Sequence, residues 1–551
     1  MIHNGVREEI DAQQILVDRW KYPEVIGIKR VGRPEIMIFN NELKALRLIE
    51  EHIRAKSGMA IHADVDFDGI ASAYLVYNEL KRRGVMQRLL IINKEKEHGV
   101  KQKHVDYLNK NKGYQLLIVV DSSSKEIETI KKFECDVLVI DHHEVDNEEM
   151  CGLCNDGIHR YVIVNSTIES SDFVEIKDEI NKWNISTLSN AVKCNGTQTL
   201  SCGLLIYEIL RMWYAIYNNV DQIEKSRVYQ WAAASLYTDQ IDLLDRRNQW
   251  YVQNMNCDRT IDASLLMIGE AIGKYNITLN KSYINFKLAP LINKAIRADA
   301  GGEALDIIIN KPQAIGELVK YSTKQKETID SVCSKITETD KSYYMVNITG
   351  RGISKNYNGV IAARICGDYY KNTVVYEEVD GKYKGSFRGR QKGVDYRQEA
   401  FIPNVEIAEG HPTAFGFMTE SEEDIERALE ACDKSEPKEE HVKHLLSLGS
   451  VDDEMKGIYH IETLDELRKS RLLVMLATGN SNVGSADEIN IIASTKDVVL
   501  KEAKEKYNTY LLMGDLELTS FETLKGKYFS IYAEFGNEIR LYARNINMKR
   551  R

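Results

Sequence analysis

The sequence predicts an α/β protein: a doubly wound, mainly parallel sheet, then a helical connector, a smaller α/β domain and a β-rich C-terminal module. Three observations predict it. Between residues 58 and 165, short apolar runs alternate with stretches of helical apolar spacing, which is the pattern of a parallel sheet with crossover helices. Acidic clusters stand where those runs end, at the strand edge where such sheets bind ligands. Two further strand-rich patterns follow after residues 343 and 488, with a charged stretch between them.

The elements follow in order. Residues 1–57 form an N-terminal extension, and its first residues lack the basic and apolar regions of a signal peptide. The main domain, 58–260, has strand-length runs at 59–62, 88–92, 115–120, 136–140 and 161–164, with helical spacing at 70–83 and 104–110. Its second half, from about 200, is mainly helical. The run 202–217 is the longest apolar candidate, but it contains Glu208 and Arg211 and is too short to span a bilayer. It predicts a buried helix. Residues 261–340 are the connector, ending in a long helix over 312–335. The smaller domain, 341–435, has strands at 343–348, 373–379 and 384–388. A linker at 433–440 precedes the module 441–551, with β-type runs at 488–493, 509–513, 528–533 and 538–543.

At 551 residues the chain is too long for one core, so several domains are expected. Its 43% hydrophobic and 28% charged content are those of an ordinary globular protein. The 9 cysteines have no regular spacing, which fits a reducing compartment and a cytoplasmic location. Cys151-Gly152-Leu153-Cys154 has half the spacing of a zinc site, but without a second pair it predicts packing. A net charge of −10 gives no whole-molecule field for a polyanion, so a nucleic-acid substrate needs a local basic groove. The terminal Lys549-Arg550-Arg551 predicts a solvated end.

The chemistry lies in four acidic clusters. They are His62-Ala63-Asp64-Val65-Asp66-Phe67-Asp68-Gly69, Asp121 after its apolar run, Asp141-His142-His143, and Asp239 within Tyr237-Thr238-Asp239. Grouped carboxylates are costly unless cations compensate them. Asp66 and Asp68 alternate in a loop that Gly69 turns into a helix, so both can face neighbouring cations, and His62 at the strand end can add an imidazole. Carboxylates with imidazole and no thiolate suit Mn2+, and Mg2+ more weakly. Two such ions about 3.5–4 Å apart serve phosphoester hydrolysis without a nucleophilic side chain. Each piece alone also fits a turn, a helix cap or a surface histidine pair. Together, on successive strand ends, they point to a metal site.

These motifs, in this order, resemble those of the DHH phosphoesterases. The resemblance implies a two-Mn2+ centre, with Mg2+ as the second candidate, held by His62, Asp66, Asp68, Asp121, His142 and Asp239, and with Asp121 as the bridge. It also implies that His143 binds the scissile phosphate or protonates the leaving oxygen, and that Asp64 orients or acts as a base.

Later segments narrow the resemblance to the RecJ type with its DHHA1 domain. Leu288-Ala289-Pro290-Leu291-Ile292-Asn293-Lys294-Ala295-Ile296-Arg297 and Asn358-Gly359-Val360-Ile361-Ala362-Ala363-Arg364 are similar to two RecJ segments. Gly385-Ser386-Phe387-Arg388 and Glu409-Gly410-His411-Pro412-Thr413-Ala414-Phe415-Gly416-Phe417 are similar to DHHA1 signatures. Leu291, Ile296 and Glu409 depart from the pattern. The resemblance implies a single-strand-specific 5′→3′ DNA exonuclease of recombination or repair that releases mononucleotides. Arg297, Ser386, Arg388 and His411 are then the phosphate-binding residues. Implied partners are single-stranded DNA and a single-strand-binding protein or helicase, with no membrane and no organic cofactor. The C-terminal module is OB-like in this reading, with Tyr507, Tyr510, Phe521, Tyr528, Phe529, Tyr532 and Phe535 available for base stacking or for the core. The alternatives are hydrolysis of oligoribonucleotides or cyclic dinucleotides, and an inactive replication or repair scaffold.

Overall fold

In the computed structural model the described residues run from 33 to 435, apart from short internal stretches, and then cover 458–461, 490–494 and most of 498–545. The chain's first residues, linker residues 436–440 and Lys549-Arg550-Arg551 lie outside the described residues. The chain divides into two compact units, one of residues Arg30–Ser322 and one that contains Thr323–Arg551.

The described strands of the Arg30–Ser322 unit are β1 (Met37–Ile38), β2 (Gly58–Ala63), β3 (Arg88–Ile92), β4 (Tyr114–Val120), β5 (Asp136–Asp141), β6 (Cys151–Leu153), β7 (Arg160–Asn165) and β8 (Val192–Lys193). Six of them form one sheet in the order β3-β2-β4-β5-β7-β6. The first five pair in parallel, and β6 adds an antiparallel edge. Strands of such a sheet are covered on both faces, which is why β2, β4 and β5 are mainly apolar and almost wholly buried. From β2 the chain steps to β3 on one side and then returns to β4 on the other. The winding direction therefore reverses between β2 and β4, which opens a crevice at their carboxyl ends.

One face of the sheet carries the larger core, where Ile61, Ile118 and Ile140 pack with the helices Phe67–Arg82, Cys202–Ile216 and Tyr229–Thr238. The other face carries Ala60, Leu117, Val119, Val137 and Val139 against the helix Gln102–Lys110. The unit also takes in residues outside the expected 58–260. The helix Glu42–Arg54 buries Leu43, Leu46 and Ile49 in the larger core, and the helices Ala289–Arg297 and Gly301–Asn310 join the same core.

The helix Cys202–Ile216 is buried as expected, and its two charges pair with each other. Arg211 donates to Glu208 at 3.0 Å, Tyr251 also donates to Glu208, and Arg247 lies 2.9 Å from the same carboxylate. Arg211 donates in addition to the Pro34 carbonyl at 2.9 Å. The long helix expected over 312–335 starts differently. Pro312–Leu318 winds as a 3-10 helix before the α-helix Val319–Cys333. Pro312, Ile315 and Leu318 are buried at a spacing of three, the period that a 3-10 turn stacks on one face.

In the other unit, β9 (Tyr343–Asn347), β10 (Asn372–Val379), β11 (Lys382–Arg388), β12 (Val405–His411) and β13 (Ala414–Thr419) form a mixed sheet in the order β12-β13-β11-β10-β9. The helices Asn358–Tyr369 and Glu422–Ser435 complete this smaller α/β layer. The C-terminal module is β-rich. β14 (Ile458–Ile461), β15 (Asn490–Ser494), β16 (Val498–Ala503), β17 (Asn508–Leu512), β18 (Leu516–Ser520), β19 (Tyr528–Glu534) and β20 (Arg540–Asn545) make one sheet in the order β14-β15-β19-β20-β18-β17-β16. Tyr510 is buried there and its hydroxyl accepts from Leu524 N at 3.0 Å, so that ring packs inward. The side chains of Phe521, Tyr528, Phe529, Tyr532 and Phe535 lie outside the described residues.

Candidate metal centre

The crevice at the ends of β2 and β4 is where the acidic residues gather. β2 runs into Asp64 and Asp66, and Asp66 caps the helix Phe67–Arg82 by accepting from Gly69 N at 3.0 Å. Gly69 is required here. A Cβ on it would lie 2.6 Å from the Asp64 carbonyl oxygen and 2.7 Å from Asp64 N. Asp68, one residue into the helix, accepts from Cys202 N at 2.8 Å and Gly203 N at 2.9 Å, at the start of the helix that Ser201 caps. β4 ends at Asp121, whose φ of 67° turns the chain sharply, and β5 ends at Asp141 beside His142. Asp239 follows the helix Tyr229–Thr238.

Among the described residues, three groups of ligand-type atoms lie within 4.8 Å of one another: Asp64, Asp66 and Asp121; Asp68, His142 and Asp239; and Asp121, His142 and His143. Asp121 belongs to two of them. His142 Nε2 lies 3.2 Å from Asp121 Oδ1, 3.4 Å from Asp239 Oδ2 and 3.9 Å from Asp68 Oδ2. Both His142 Nε2 and Asp121 Oδ1 are buried without a hydrogen-bond partner. Orphaned buried polar atoms are rare, and a shared cation would satisfy both.

The electrostatics point the same way. Burial, then the charges of Asp68 and Asp66, hold the Asp121 and Asp239 carboxyls well above the usual range. Burial and Asp66 push Asp68 up to about 7. Burial, then the charge of His143, lowers His142 to about 4, so its imidazole is neutral near pH 7 and has a lone pair to give. A buried nest of carboxylates around a neutral imidazole fits hard or borderline divalent cations.

His143 differs from its neighbour. Its Nδ1 lies 2.7 Å from Asp141, and that hydrogen bond raises its pKa to about 9 despite burial. Asp141 also accepts from the backbone N–H groups of Ser124, His142 and His143. His143 is therefore a fixed cation with a side chain 56% exposed, at the lip of the cluster.

The structure does not bring every expected residue together. His62 is absent from all three groups. Its ring meets His104 edge-on at 4.8 Å, and both ring nitrogens are buried without a partner. It lies on the same side of β2 as Ala60, facing the smaller core. Arg297 ends the helix Ala289–Arg297, beside Lys294. The departures Leu291 and Ile296 in that helix are core residues.

Ser386 and Arg388 alternate on β11 in the other unit. A Cβ on Gly359 would lie 2.5 Å from Arg388 Nη2 and 3.6 Å from Ser386 Oγ, so the glycine lets both approach the start of the helix Asn358–Tyr369. A guanidinium, a hydroxyl and a helix N-terminus together suit a phosphate. His411 ends β12, and its side chain lies outside the described residues.

Sequence reasoning missed two contributors, His98 and Asn165, and gave Asp141 no role within its cluster. His98 approaches Asp64. Asp141 anchors His143, and Asn165 donates to the His143 carbonyl at 2.9 Å and to Ser124 Oγ at 3.0 Å. Asn165 ends β7 on the same edge, so the rule that found Asp121 applies to it too. Cys151 is exposed on β6, while Cys154 is buried and donates to the Cys135 carbonyl, so the Cys-x-x-Cys is a packing feature.

Residues 59–166 match the family model described as DHH family, N-terminal domain. This segment is a DHH domain. Beyond it, a Bacillus subtilis (strain 168) protein, provisionally named SPbeta prophage-derived single-strand DNA-specific exonuclease YorK, is 23% identical over 423 residues, covering 69% of this chain and 66% of that protein. A Bacillus phage SPbeta protein, provisionally named single-strand DNA-specific exonuclease yorK, matches equally. The chain thus spans 66% of the length of the curated relatives it matches. The structure of RecJ in complex with Mn2+ from Thermus thermophilus superposes with a TM-score of 0.63 at 14% identity, covering 97% of this chain and 75% of that one. Another structure, of exonuclease RecJ bound to manganese, gives 0.50 at 17% identity, covering 73% and 97%. Around its DHH domain, the chain has a divergent RecJ-type fold.

Proposed function

We propose that this protein is a divalent-cation-dependent nuclease that digests single-stranded DNA from the 5′ end to mononucleotides, in recombination or repair. One observation carries the reading: Asp121, a buried carboxylate held well above the usual range by burial and by Asp68 and Asp66, joins two groups of ligand-type side chains at the switch point of the sheet. Asp66, Asp68, Asp121, His142 and Asp239 are the residues that would hold the cations, Mn2+ before Mg2+, with Asp121 shared. His62 is the sixth residue of the set, with both ring nitrogens buried without a hydrogen-bond partner. When bound, a cation pair activates water near neutral pH and clamps the oxygens of an in-line displacement at phosphorus.

The chain's own groups do the rest. His143, held charged by Asp141, donates an N–H to a non-bridging phosphate oxygen or to the departing 3′ oxygen. Asp64 accepts a proton or orients its neighbours. Ser386 and Arg388, beside the helix that begins at Asn358, bind a terminal 5′ phosphate, with Arg297 and His411 as further phosphate contacts. The names of the Bacillus and SPbeta proteins favour single-stranded DNA as the substrate class. The C-terminal module is the candidate for binding a long strand, and a single-strand-binding protein or helicase is the partner class of this reading.

The deciding experiment offers Mn2+ and end-labelled strands, either 5′-phosphorylated or 5′-blocked. Mononucleotides released from the unblocked 5′ end, with duplex spared, are the expected result. Turnover confined to dinucleotides or cyclic dinucleotides would instead identify a small-substrate phosphodiesterase.

A further inference from the structure

A short loop outside the four acidic motifs reaches the carboxylate cluster. His98 Nδ1 lies 2.7 Å from Asp64 Oδ2, and Gly99 N donates to Asp64 Oδ1 at 3.4 Å. Asp64 is 2% exposed, and its carboxylate shares a group with Asp66 and Asp121. The loop is itself fastened at two points. Asn93 Nδ2 donates to the Gly99 carbonyl at 2.6 Å, and Val100 N donates to Ser123 Oγ at 2.9 Å. Ser123 has a φ of 79°, two residues beyond Asp121 at 67°, a conformation that non-glycine residues rarely adopt. Gly99, at a φ of 70°, has no room for a side chain: a Cβ there would lie 2.9 Å from Glu126 Oε1 and 3.0 Å from Ser123 Oγ. Residues His98–Val100 thus tie the end of β2 to the turn that follows β4.

A buried carboxylate can rotate about its last torsion, and only some orientations aim a lone pair at a neighbouring ion. A donor fixed on one oxygen removes that freedom. An ionised carboxylate only accepts, so the His98 imidazole must present its Nδ1–H. The His98 side chain is 65% exposed and fills no core space, so its contact with Asp64 is not explained by packing.

We propose that His98 is a positioning residue: by donating to Asp64 it holds that carboxylate towards Asp66 and Asp121, and so sets how tightly that half of the centre takes a divalent cation. This rests on the metal-centre reading above and deepens it, because no acidic motif includes His98. Outer partners of this kind change metal affinity by about 10–100-fold.

The test titrates metal-free full-length protein with Mn2+ alone, by calorimetry and by the electron paramagnetic resonance of the unbound ion. The wild type, His98→Ala and His98→Asn are compared, since the Asn amide can place a donor near the imidazole Nδ1. In His98→Ala, one of two binding steps should weaken by about 10–100-fold and the other stay within twofold. His98→Asn should recover most of the loss, and the melting temperature of all three metal-free proteins should agree. Wild-type affinities in His98→Ala, or a loss in His98→Asn as deep as in His98→Ala, would overturn the proposal. A wild type that takes up no Mn2+ would overturn the metal centre and this role with it. A wild type that binds Mn2+ but cuts no DNA would remove only the exonuclease reading, and the ratio between variants would still judge His98.

Discussion

Asp121 shows how one side chain can be both a burden to folding and a requirement for chemistry. Its carboxyl is held well above the usual range by burial and by Asp68 and Asp66, so ionising it in the metal-free protein is costly. Asp121→Asn should therefore raise the melting temperature of the metal-free protein while lowering Mn2+-dependent hydrolysis by at least about 100-fold, more than outer partners cost. Thermal unfolding in chelator and initial rates on a labelled strand check the two halves of that prediction. Asp136, at the opposite edge of the sheet, behaves in the contrary way. Burial would raise its pKa, but His52 at 3.0 Å and the Arg160 backbone and guanidinium outweigh it and bring the carboxyl down to about 2. A depressed carboxyl contributes stability above its unfolded value of about 4, and that contribution is lost as the pH falls through about 2. Urea unfolding between pH 5 and 2 should show the wild type losing about 2 kcal/mol more than Asp136→Asn does.

At the scale of elements, the helix Phe67–Arg82 begins where the first cluster ends, and Gly69 makes that possible. The atoms a Cβ would strike are Asp64 backbone, which cannot swing aside. Gly69→Ala should destabilise the protein by about 1–3 kcal/mol or more, despite alanine's better helix propensity, with circular dichroism melts as the measurement. Most of this element structure is legible in the sequence. β2, β4 and β5 are covered on both faces, so each reads as a mainly apolar run, and Asp64, Asp121 and Asp141-His142 lie where the runs stop. β6 is not legible because three residues with exposed ends carry no periodicity, and β1 and β8 are shorter still. The helix Glu42–Arg54 does carry its signal, with Leu43, Leu46 and Ile49 on one face, but it precedes the first strand of the sheet and so reads as an extension. His98 is hidden for a different reason: it reaches the cluster on a loop whose place depends on the hydrogen bond from Val100 N to Ser123, beyond the next strand. His62 holds the first place of its motif in the sequence, and its ring meets that of His104, a contact no local pattern shows.

For the whole molecule, the proposed function assigns chemistry and recognition to different compact units, with the acidic cluster in Arg30–Ser322 and the Ser386 and Arg388 pair beyond Thr323. Changes to the second should leave the first intact. Arg388→Ala should raise KM for a 5′-phosphorylated strand by about tenfold or more, the worth of a charge-assisted hydrogen bond, with kcat nearly unchanged and with little difference on a 5′-hydroxyl strand. Steady-state kinetics on the two strands separate these outcomes, and Mn2+ titration of the same variant should match the wild type.

The Glu208 knot constrains how such a protein can change. A single carboxylate serves Arg211, Arg247 and Tyr251 inside the core, and Arg247 belongs to the helix Arg246–Cys257 that follows Asp239. Losing Glu208 strands the Arg211 and Arg247 charges in an apolar setting, at a penalty of about 3–5 kcal/mol, whereas exchanging the whole set for well-fitted apolar side chains can be neutral. Drift at these positions should thus proceed in concert or not at all, and a directed-evolution library that varies them singly would return almost only the parental residues.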